Sequence, residues 1–261
     1  PIGWLVVGYI FVKQGYGVHG IVWGYIVGSF AMLAVAWWRV SIRPARPSFN
    51  HAKSLLDYSR YSFISMVGGF FYSWMDVAIL SAFVALGIAS TRGAIGAYEN
   101  AWRVSMLVLL VASSIAMSLF PQVSRWDAED ATDRIESIIS KALLPGLLIA
   151  FPAFAGTLVL AEDIMETLFG PEFTIGSFVL VILVAEKILQ SIHVVLSRSL
   201  QAIDRPDLAA YATVVTIIIN LVLNVVLIWE HGIVGAAVAT AVSFVVNTAL
   251  HAYYVNQFLK I

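Results

Sequence analysis

Apolar residues fill this chain in long, nearly unbroken blocks separated by short polar or Gly- and Pro-containing stretches. Eight blocks stand out, at residues 1–12, 18–38, 61–86, 95–120, 141–160, 175–199, 207–229 and 233–255. About 20 apolar helical residues are needed to cross a hydrocarbon core of about 30 Å, and every block but the first reaches that length. The first would rise only about 18 Å, so it reads as the end of a helix that begins before Pro1, and the chain reads as part of something longer. Residues Pro1 to Val12 lack the basic n-region and small-residue cleavage site of a secretory signal. The predicted fold class is all-α: a polytopic membrane helix bundle with about eight helices present.

Composition narrows the function classes. Of the 261 residues, 60% are hydrophobic and 12% charged, with a mean hydropathy of +0.88, against about 45–50% and about 25% for a soluble domain. The eight blocks leave no room for an independent soluble domain. A net charge of −1 without a basic run lacks the electrostatic footprint of a nucleic-acid binder. The absence of cysteine removes disulfides, thiolate metal sites and cysteine nucleophiles. No nucleophile elbow, phosphate-binding loop or H-E-x-x-H motif is present, and His19, His51, His193, His231 and His251 are scattered over different loops and spans. The reading is a non-enzyme with no cofactor and no metal.

Basic residues alternate between loops. Arg39, Arg43, Arg46, Lys53 and Arg60 follow block two; Arg125, Arg134 and Lys141 follow block four; Arg198 and Arg205 follow block six; Lys260 follows block eight. The opposite loops hold Lys13 and Arg92, and the remaining two, Arg103 and Lys187, lie well inside spans. The positive-inside rule then places the even-numbered loops and the C-terminus in the cytoplasm. Within the loop from Val40 to Tyr58, Pro44 and Pro47 precede Phe49, Leu55 and Leu56, which predicts a short interfacial helix or a plain anchoring loop. The stretch Asp127, Glu129, Asp130, Asp133, Glu136, interleaved with Arg125 and Arg134, reads as a solvated loop.

The chain repeats itself. Gly17-Val18-His19-Gly20, followed by Gly24 and Gly28, matches Gly232-Ile233-Val234-Gly235, followed by Ala239 and Ser243, at a constant offset of 215. Both copies enter a helix with small residues every fourth position, the spacing that lets helices approach closely. The pairing relates spans one and two to spans seven and eight in the same topological sense, as expected of two parallel halves.

Polar groups inside a bilayer are costly and mark pairing or function. In span three, Ser62, Ser65, Gly69, Tyr72 and Asp76 share one face; Asp76 reads as a cation or proton site, or as a carboxylate paired to a neighbouring helix. Glu99 and Arg103 stand at i,i+4 spacing, giving an intrahelical ion pair or leaving Arg103 to fork onto an anionic headgroup. In span six, Glu186, Gln190, His193 and Ser197 form one stripe and Lys187, Ser191 and Arg198 the next, predicting a cavity lining or a protein-buried face. Asn220 and Asn224, one turn apart in span seven, suit interhelical hydrogen bonds. Pro145 and Pro152, with Gly146 and Gly156, should kink span five and free backbone carbonyls.

Ordered motifs then bring in a resemblance. Gln201-Ala202-x-Asp204-Arg205-Pro206, the Asn220-x-x-x-Asn224 helix and Gly232-Ile233-x-Gly235-Ala236-Ala237 resemble the C-terminal region of polysaccharide flippases in the multidrug, oligosaccharidyl-lipid and polysaccharide exporter superfamily. Met75-Asp76, then Gly96-x-Tyr98-x-x-Ala101-x-Arg103, and the Leu119-Phe120-Pro121 and Leu168-Phe169-Gly170-Pro171 segments are similar to that family's seventh to ninth helices. The family commonly has Arg after the seventh-helix Asp, where this chain has Val77.

The resemblance implies a transporter of twelve or fourteen helices in two lobes. Residues 1–40 would be the last two helices of the N-lobe, the first truncated; 41–60 a cytoplasmic inter-lobe linker; and 61–261 a C-lobe of six helices. It implies a polyprenyl-linked sugar as substrate, flipped across the cell membrane by alternating access among membrane lipids, with Na+ or H+ as coupling ion. The substrate-binding candidates are Arg103, Glu186, Lys187, Gln190, His193, Arg198, Asn220 and Asn224, and the ion-coupling candidates Asp76 and Glu99. A cation-coupled multidrug exporter of the same superfamily and a membrane glycosyltransferase or ligase are the competing readings. The topology makes a direct prediction: a reporter fused after Glu230 lies outside the cytoplasm, and cytoplasmic reporter activity at that position refutes the eight-span arrangement.

Overall fold

The computed structural model describes residues 2–40, 48–87 and 92–260, and among them every regular element is helical. The helices are α1 (Ile2–Phe11), α2 (Gly17–Arg39), α3 (Phe49–Ala85), α4 (Arg92–Met106), α5 (Leu110–Ala128), α6 (Thr132–Phe169), α7 (Ser177–Ala202) and α8 (Pro206–Asn256). Short 3-10 turns at Leu107–Leu109 and Pro171–Gly176 join α4 to α5 and lead into α7. The chain divides into two compact units, Pro1–Ser54 and Leu55–Ile261.

In the first unit α1 and α2 fold back on each other through a turn of π-type at Val12–Tyr16 that contains Gly15 at φ 90°. The approach is so close that a Cβ on Gly24 would stand 2.3 Å from the Gly8 Cα.

The sequence repeat has a backbone counterpart. Gly17 lies at φ 51°, ψ −134° and Gly232 at φ 57°, ψ −132°, a region that side chains other than hydrogen rarely enter. A Cβ on Gly20 would fall 2.8 Å from the Val12 nitrogen, and one on Gly235 would fall 1.9 Å from the Leu227 carbonyl oxygen. Val12 and Leu227 are separated by the same offset as the glycines. The two copies therefore share a turn and a contact as well as letters.

The turn at Gly232 explains how blocks seven and eight coexist in one 51-residue helical run. Straight, such a helix would extend about 76 Å, far beyond a bilayer. The reversal instead lays residues 206–231 beside 233–256, as the contact between Gly235 and Leu227 requires. Blocks four, five and six become the continuous helical stretches Gly93–Ala128, Thr132–Phe169 and Pro171–Ala202.

Two expectations change. Phe49, Leu55 and Leu56, read as part of a separate interfacial helix or anchoring loop, are the exposed first turns of α3, which runs 37 residues without interruption; residues 41–47, with Pro44 and Pro47, lie outside the described residues. The acidic stretch is loop only from Glu129 to Ala131, because α5 continues through Pro121 to Ala128 and α6 starts at Thr132. Pro145 and Pro152 both lie inside α6, where each removes one backbone donor.

In the second unit α7 sits at the centre, packed against α4, α5, α6 and α8, and half of its spanning stretch is buried, against 17% for α6. Two apolar clusters grip it. One joins Leu180 and Leu183 to Leu80, Tyr98, Ile228 and Ala236; the other joins Val195 and Leu200 to Leu119, Ile139 and Val255. Between them α7 presents Glu186, Lys187 and Ser191, and the arms of α8 present Asn220, Asn224, Thr240 and Ser243, all buried. The core is thus apolar, polar and apolar in succession.

Close packing at the hairpin sets a test. Gly235→Ala forces a side chain into the Leu227 carbonyl and is expected to lower the melting temperature and folded yield in detergent. Gly156→Ala, with nothing within 4 Å of the added carbon, should leave both unchanged or gain up to about 1 kcal/mol in helix propensity. Equal behaviour of the two variants would contradict the hairpin contact.

Candidate functional site

The polar layer is built around Asp76. Its position on α3, within an otherwise apolar stretch, buries the side chain to 4% exposure. Hydrocarbon offers no water to solvate a carboxylate, so donors must come from neighbouring helices. Thr240 Oγ1 donates to Oδ2 at 2.7 Å, Asn224 Nδ2 donates to Oδ1 at 2.7 Å, and the Tyr98 hydroxyl donates to Oδ2. Asn224 lies eight residues before Gly232 and Thr240 eight after it, so the hairpin carries both to the same depth. Asn224 Nδ2 also reaches Asn220 Oδ1 at 3.0 Å, while Asn224 Oδ1 and Asn220 Nδ2 are buried without partners.

A second node lies on α7. Lys187 and Glu186, each 1% exposed, pair at 2.6 Å, and Lys187 Nζ donates to Gln190 Oε1 at 2.8 Å. Asp76 interacts electrostatically with both members of this pair. Two carboxylates and one ammonium, all ionised, would give the layer one net negative charge. A charge in low dielectric is costly unless compensated, and Glu186 Oε1 adds another buried acceptor without a partner.

Gln190 connects this node to a cavity of about 530 Å³, whose wall includes His193, Ser197, Arg198, Thr216 and Asn247. Of the span-six residues predicted to share a face, Gln190, His193, Ser197 and Arg198 line this space. Glu186 and Lys187 lie behind it, in their ion pair. Arg198 is exposed and reaches Gln201 at 3.4 Å. Gly68 and Gly69 of α3 complete the wall; the side chains of Ser62, Ser65 and Tyr72, expected on that face, lie outside the described residues.

A second, smaller cleft of about 240 Å³ opens further along α3, lined by Trp74, Val77, Tyr98, Glu99, Trp102 and Arg103. Arg103 and Glu99 form the predicted i,i+4 pair at 2.8 Å, with Arg103 64% exposed. Arg103, Lys187 and Arg198 therefore stand at three separate places: the small cleft, the buried layer and the large cavity.

Sequence reasoning missed Tyr98 and Thr240 as ligands of Asp76, and the meeting of His193 with His251, whose rings stand edge to face with centroids 4.4 Å apart. Thr240 was recoverable by counting equal distances on both sides of Gly232. His251 belongs to a different span from His193, and only tertiary packing joins them. Among the described residues no cluster suited to a metal ion occurs.

Comparison with known proteins follows this architecture. The chain is 48% identical over 260 residues to a probable low-salt glycan biosynthesis flippase, Agl15, of Haloferax volcanii, covering all of this chain and 54% of that protein. It is 30% identical over 242 residues to a probable flippase, AglR, of the same organism, covering 92% of this chain and 49% of the relative. The chain thus spans about half the length of these relatives. In fold it superposes on the inward closed conformation of a lipid II flippase MurJ with a TM-score of 0.76 at 19% identity, over 97% of this chain and 54% of that one. A MATE transporter in complex with MaL6 superposes with a TM-score of 0.72 at 16% identity, over 98% and 60%. The sequence profile of the lipid II flippase MurJ family matches residues 2–261, and with the layered helical core this places the chain as a multi-pass membrane protein that belongs to that family.

Proposed function

We propose that the protein moves a saccharide linked to a polyprenyl lipid across the cell membrane by alternating access, with its C-terminus in the cytoplasm. The observation that carries this reading is the placement of one buried charged layer next to two clefts. Tyr98 ties Asp76 to the smaller cleft, where its ring forms part of the wall, and Gln190 ties Lys187 to the larger cavity. A layer in contact with both spaces can pass an electrostatic change from one to the other without itself being exposed. The relatives' description as flippases, one of them in glycan biosynthesis, supports a glycolipid cargo. Residues 41–60 serve as the inter-lobe linker and 61–261 as the C-lobe in this reading, with 1–40 closing the N-lobe.

The residues divide the work by chemistry. Arg198 on the cavity wall offers a planar fork for the pyrophosphate, and Arg103 offers a second fork at the other cleft. Gln190 and His193 face the saccharide. Asn220 and Asn224 act through Asp76 rather than on the cargo. Asp76 takes up the coupling cation, Na+ or H+, which would offset the net negative charge of the layer. The carboxylate, the Thr240 hydroxyl and the unpartnered Asn224 Oδ1 are hard oxygen ligands that suit such a cation, and the unpartnered amide oxygen is the structural reason to place it there. Glu99 is committed to Arg103 and lies apart from this set. A multidrug exporter of the same superfamily shares the fold, as the MATE superposition illustrates, but no feature of the cavity favours a drug over a glycolipid. A glycosyltransferase or ligase is disfavoured because the relatives are described as transporters.

Translocation of a fluorescent polyprenyl-pyrophosphate saccharide by the full-length protein in proteoliposomes tests this. Arg198→Ala should slow the initial rate at least about ten-fold, the scale of losing one charged hydrogen bond. Asp76→Asn should abolish the dependence of the rate on a Na+ or pH gradient while the variant still binds cargo. Wild-type rates in both variants would remove these assignments.

A further inference from the structure

We propose that the smaller cleft beside α4 is a stacking seat for a sugar ring of the cargo, built from Trp74 and Trp102 with Glu99 as the hydrogen-bond acceptor. The proposal rests on the transport reading above, which sets the saccharide against Gln190 and His193 in the larger cavity, and adds a second station for it.

Depth and exposure together turn this face away from acyl chains. Asn224 and Thr240 lie eight residues from Gly232, so the level of Asp76 is about 12 Å in from the hairpin turn. Phe83, near the end of α3, stands edge to face against Trp229, near that turn, at 6.0 Å; α3 therefore ends, and α4 begins, on the turn's side. Tyr98 bonds Asp76, and Arg103 follows five residues further along α4, about 7.5 Å deeper. A guanidinium about 20 Å in from the turn lies well inside a hydrocarbon core of about 30 Å, yet the Arg103 side chain is 64% exposed and that of Glu99 31%. Charges at such depth face a cavity or a partner rather than lipid tails. Trp102, next to Arg103, is likewise too deep for the aromatic belt at the headgroups.

The chemistry of the wall selects the occupant. Trp74 is 54% exposed, and neither its indole N–H nor that of Trp102 has an acceptor among the described residues. Arg103 occupies Glu99 Oε2 at 2.8 Å, which leaves Oε1 open as an acceptor. A sugar ring is amphipathic in a matching way, with C–H groups on its faces and hydroxyls around its edge. The C–H groups pack on the electron-rich face of an indole, while the hydroxyls donate to Glu99 Oε1 and accept from the indole N–H groups. An isoprenoid chain would use the rings and leave those polar atoms unpaired. A lipophilic cation suits rings and a carboxylate, but Arg103 already neutralises Glu99 and repels a second positive charge. A phosphate is repelled by Glu99 and suits Arg103, so pyrophosphate and sugar follow one another along α4, one turn apart. The volume of about 240 Å³ falls below the range of about 300–1,000 Å³ for drug-sized sites, which fits one ring with the rest of a glycan outside.

Binding by the full-length protein in nanodiscs tests the seat with three probes: a polyprenyl pyrophosphate carrying a hexose, the same lipid without sugar, and tetraphenylphosphonium as a lipophilic cation. Wild type should bind the glycosylated lipid more tightly than the bare one. Trp102→Leu keeps apolar bulk and removes the ring; it should weaken binding of the glycosylated lipid about five-fold or more, the scale of losing one aromatic contact, and leave the bare lipid unaffected, while Trp102→Phe should retain most of the affinity. Trp74→Leu, at an exposed position, should give the same selective loss with an unchanged melting temperature. It decides the matter if Trp102→Leu, whose native ring packs against the core cluster, does not fold. Equal losses for both lipids reassign the rings to the isoprenoid chain, and a loss confined to the cation reassigns them to a cationic ligand; either result overturns the seat, as does an unchanged affinity in Trp74→Leu. Wild type that binds both lipids alike overturns the seat while the transport reading stands; wild type that binds neither removes both.

Discussion

Solvation of a single carboxylate organises the second unit. Asp76 is buried where water cannot reach, and its hydrogen bonds come from α4 through Tyr98 and from both arms of α8 through Asn224 and Thr240. Between apolar helices in a membrane there is little hydrophobic force to fix rotation or register, since lipid tails solvate leucine as well as protein does. Directional bonds to one charge supply what apolar packing lacks: they specify which face of each helix turns inward and at what depth. The apolar clusters above and below then pack around a geometry already determined.

With all three groups ionised, the same layer would hold a charge imbalance that packing alone cannot remove. Glu186 and Lys187 are paired at 2.6 Å, whereas Asp76 is hydrogen-bonded only by neutral donors and feels Lys187 from a distance. Groups so placed respond strongly to whatever enters their neighbourhood, because the surrounding medium screens little. Lys187 reaches the cavity through Gln190, and Asp76 reaches the smaller cleft through Tyr98, so a neutralising event at one carboxylate would be felt at both.

Much of the fold was legible in the sequence because hydropathy acts over whole spans. Block lengths located α2 and α4 to α7, and the G-[VI]-x-G repeat foretold two hairpins whose glycines adopt nearly the same dihedral angles. The extent of α3 was not legible. Phe49, Leu55 and Leu56 read as a short helix or loop of their own because prolines preceded them, yet helix continuity from Phe49 to Ala85 depends on cooperative backbone bonding that composition does not reveal. At the site, charged residues announced themselves by being out of place in apolar runs, so Asp76, Glu186 and Lys187 were visible. Thr240 is an ordinary residue for a membrane helix; its importance comes from what the hairpin sets beside it.

That hairpin also constrains how the sequence can drift. Asn224 and Thr240 meet at one carboxylate only because they are equidistant from Gly232. Inserting or deleting one residue between either of them and the turn would rotate that side chain by about 100° and displace it by about 1.5 Å, carrying it off Asp76 altogether. Substitutions are absorbed one position at a time, whereas a change in length on one arm has to be matched on the other. The stretch from Asn224 to Thr240 is therefore one geometric unit, in which the spacing to the turn matters as much as the identity of the residues.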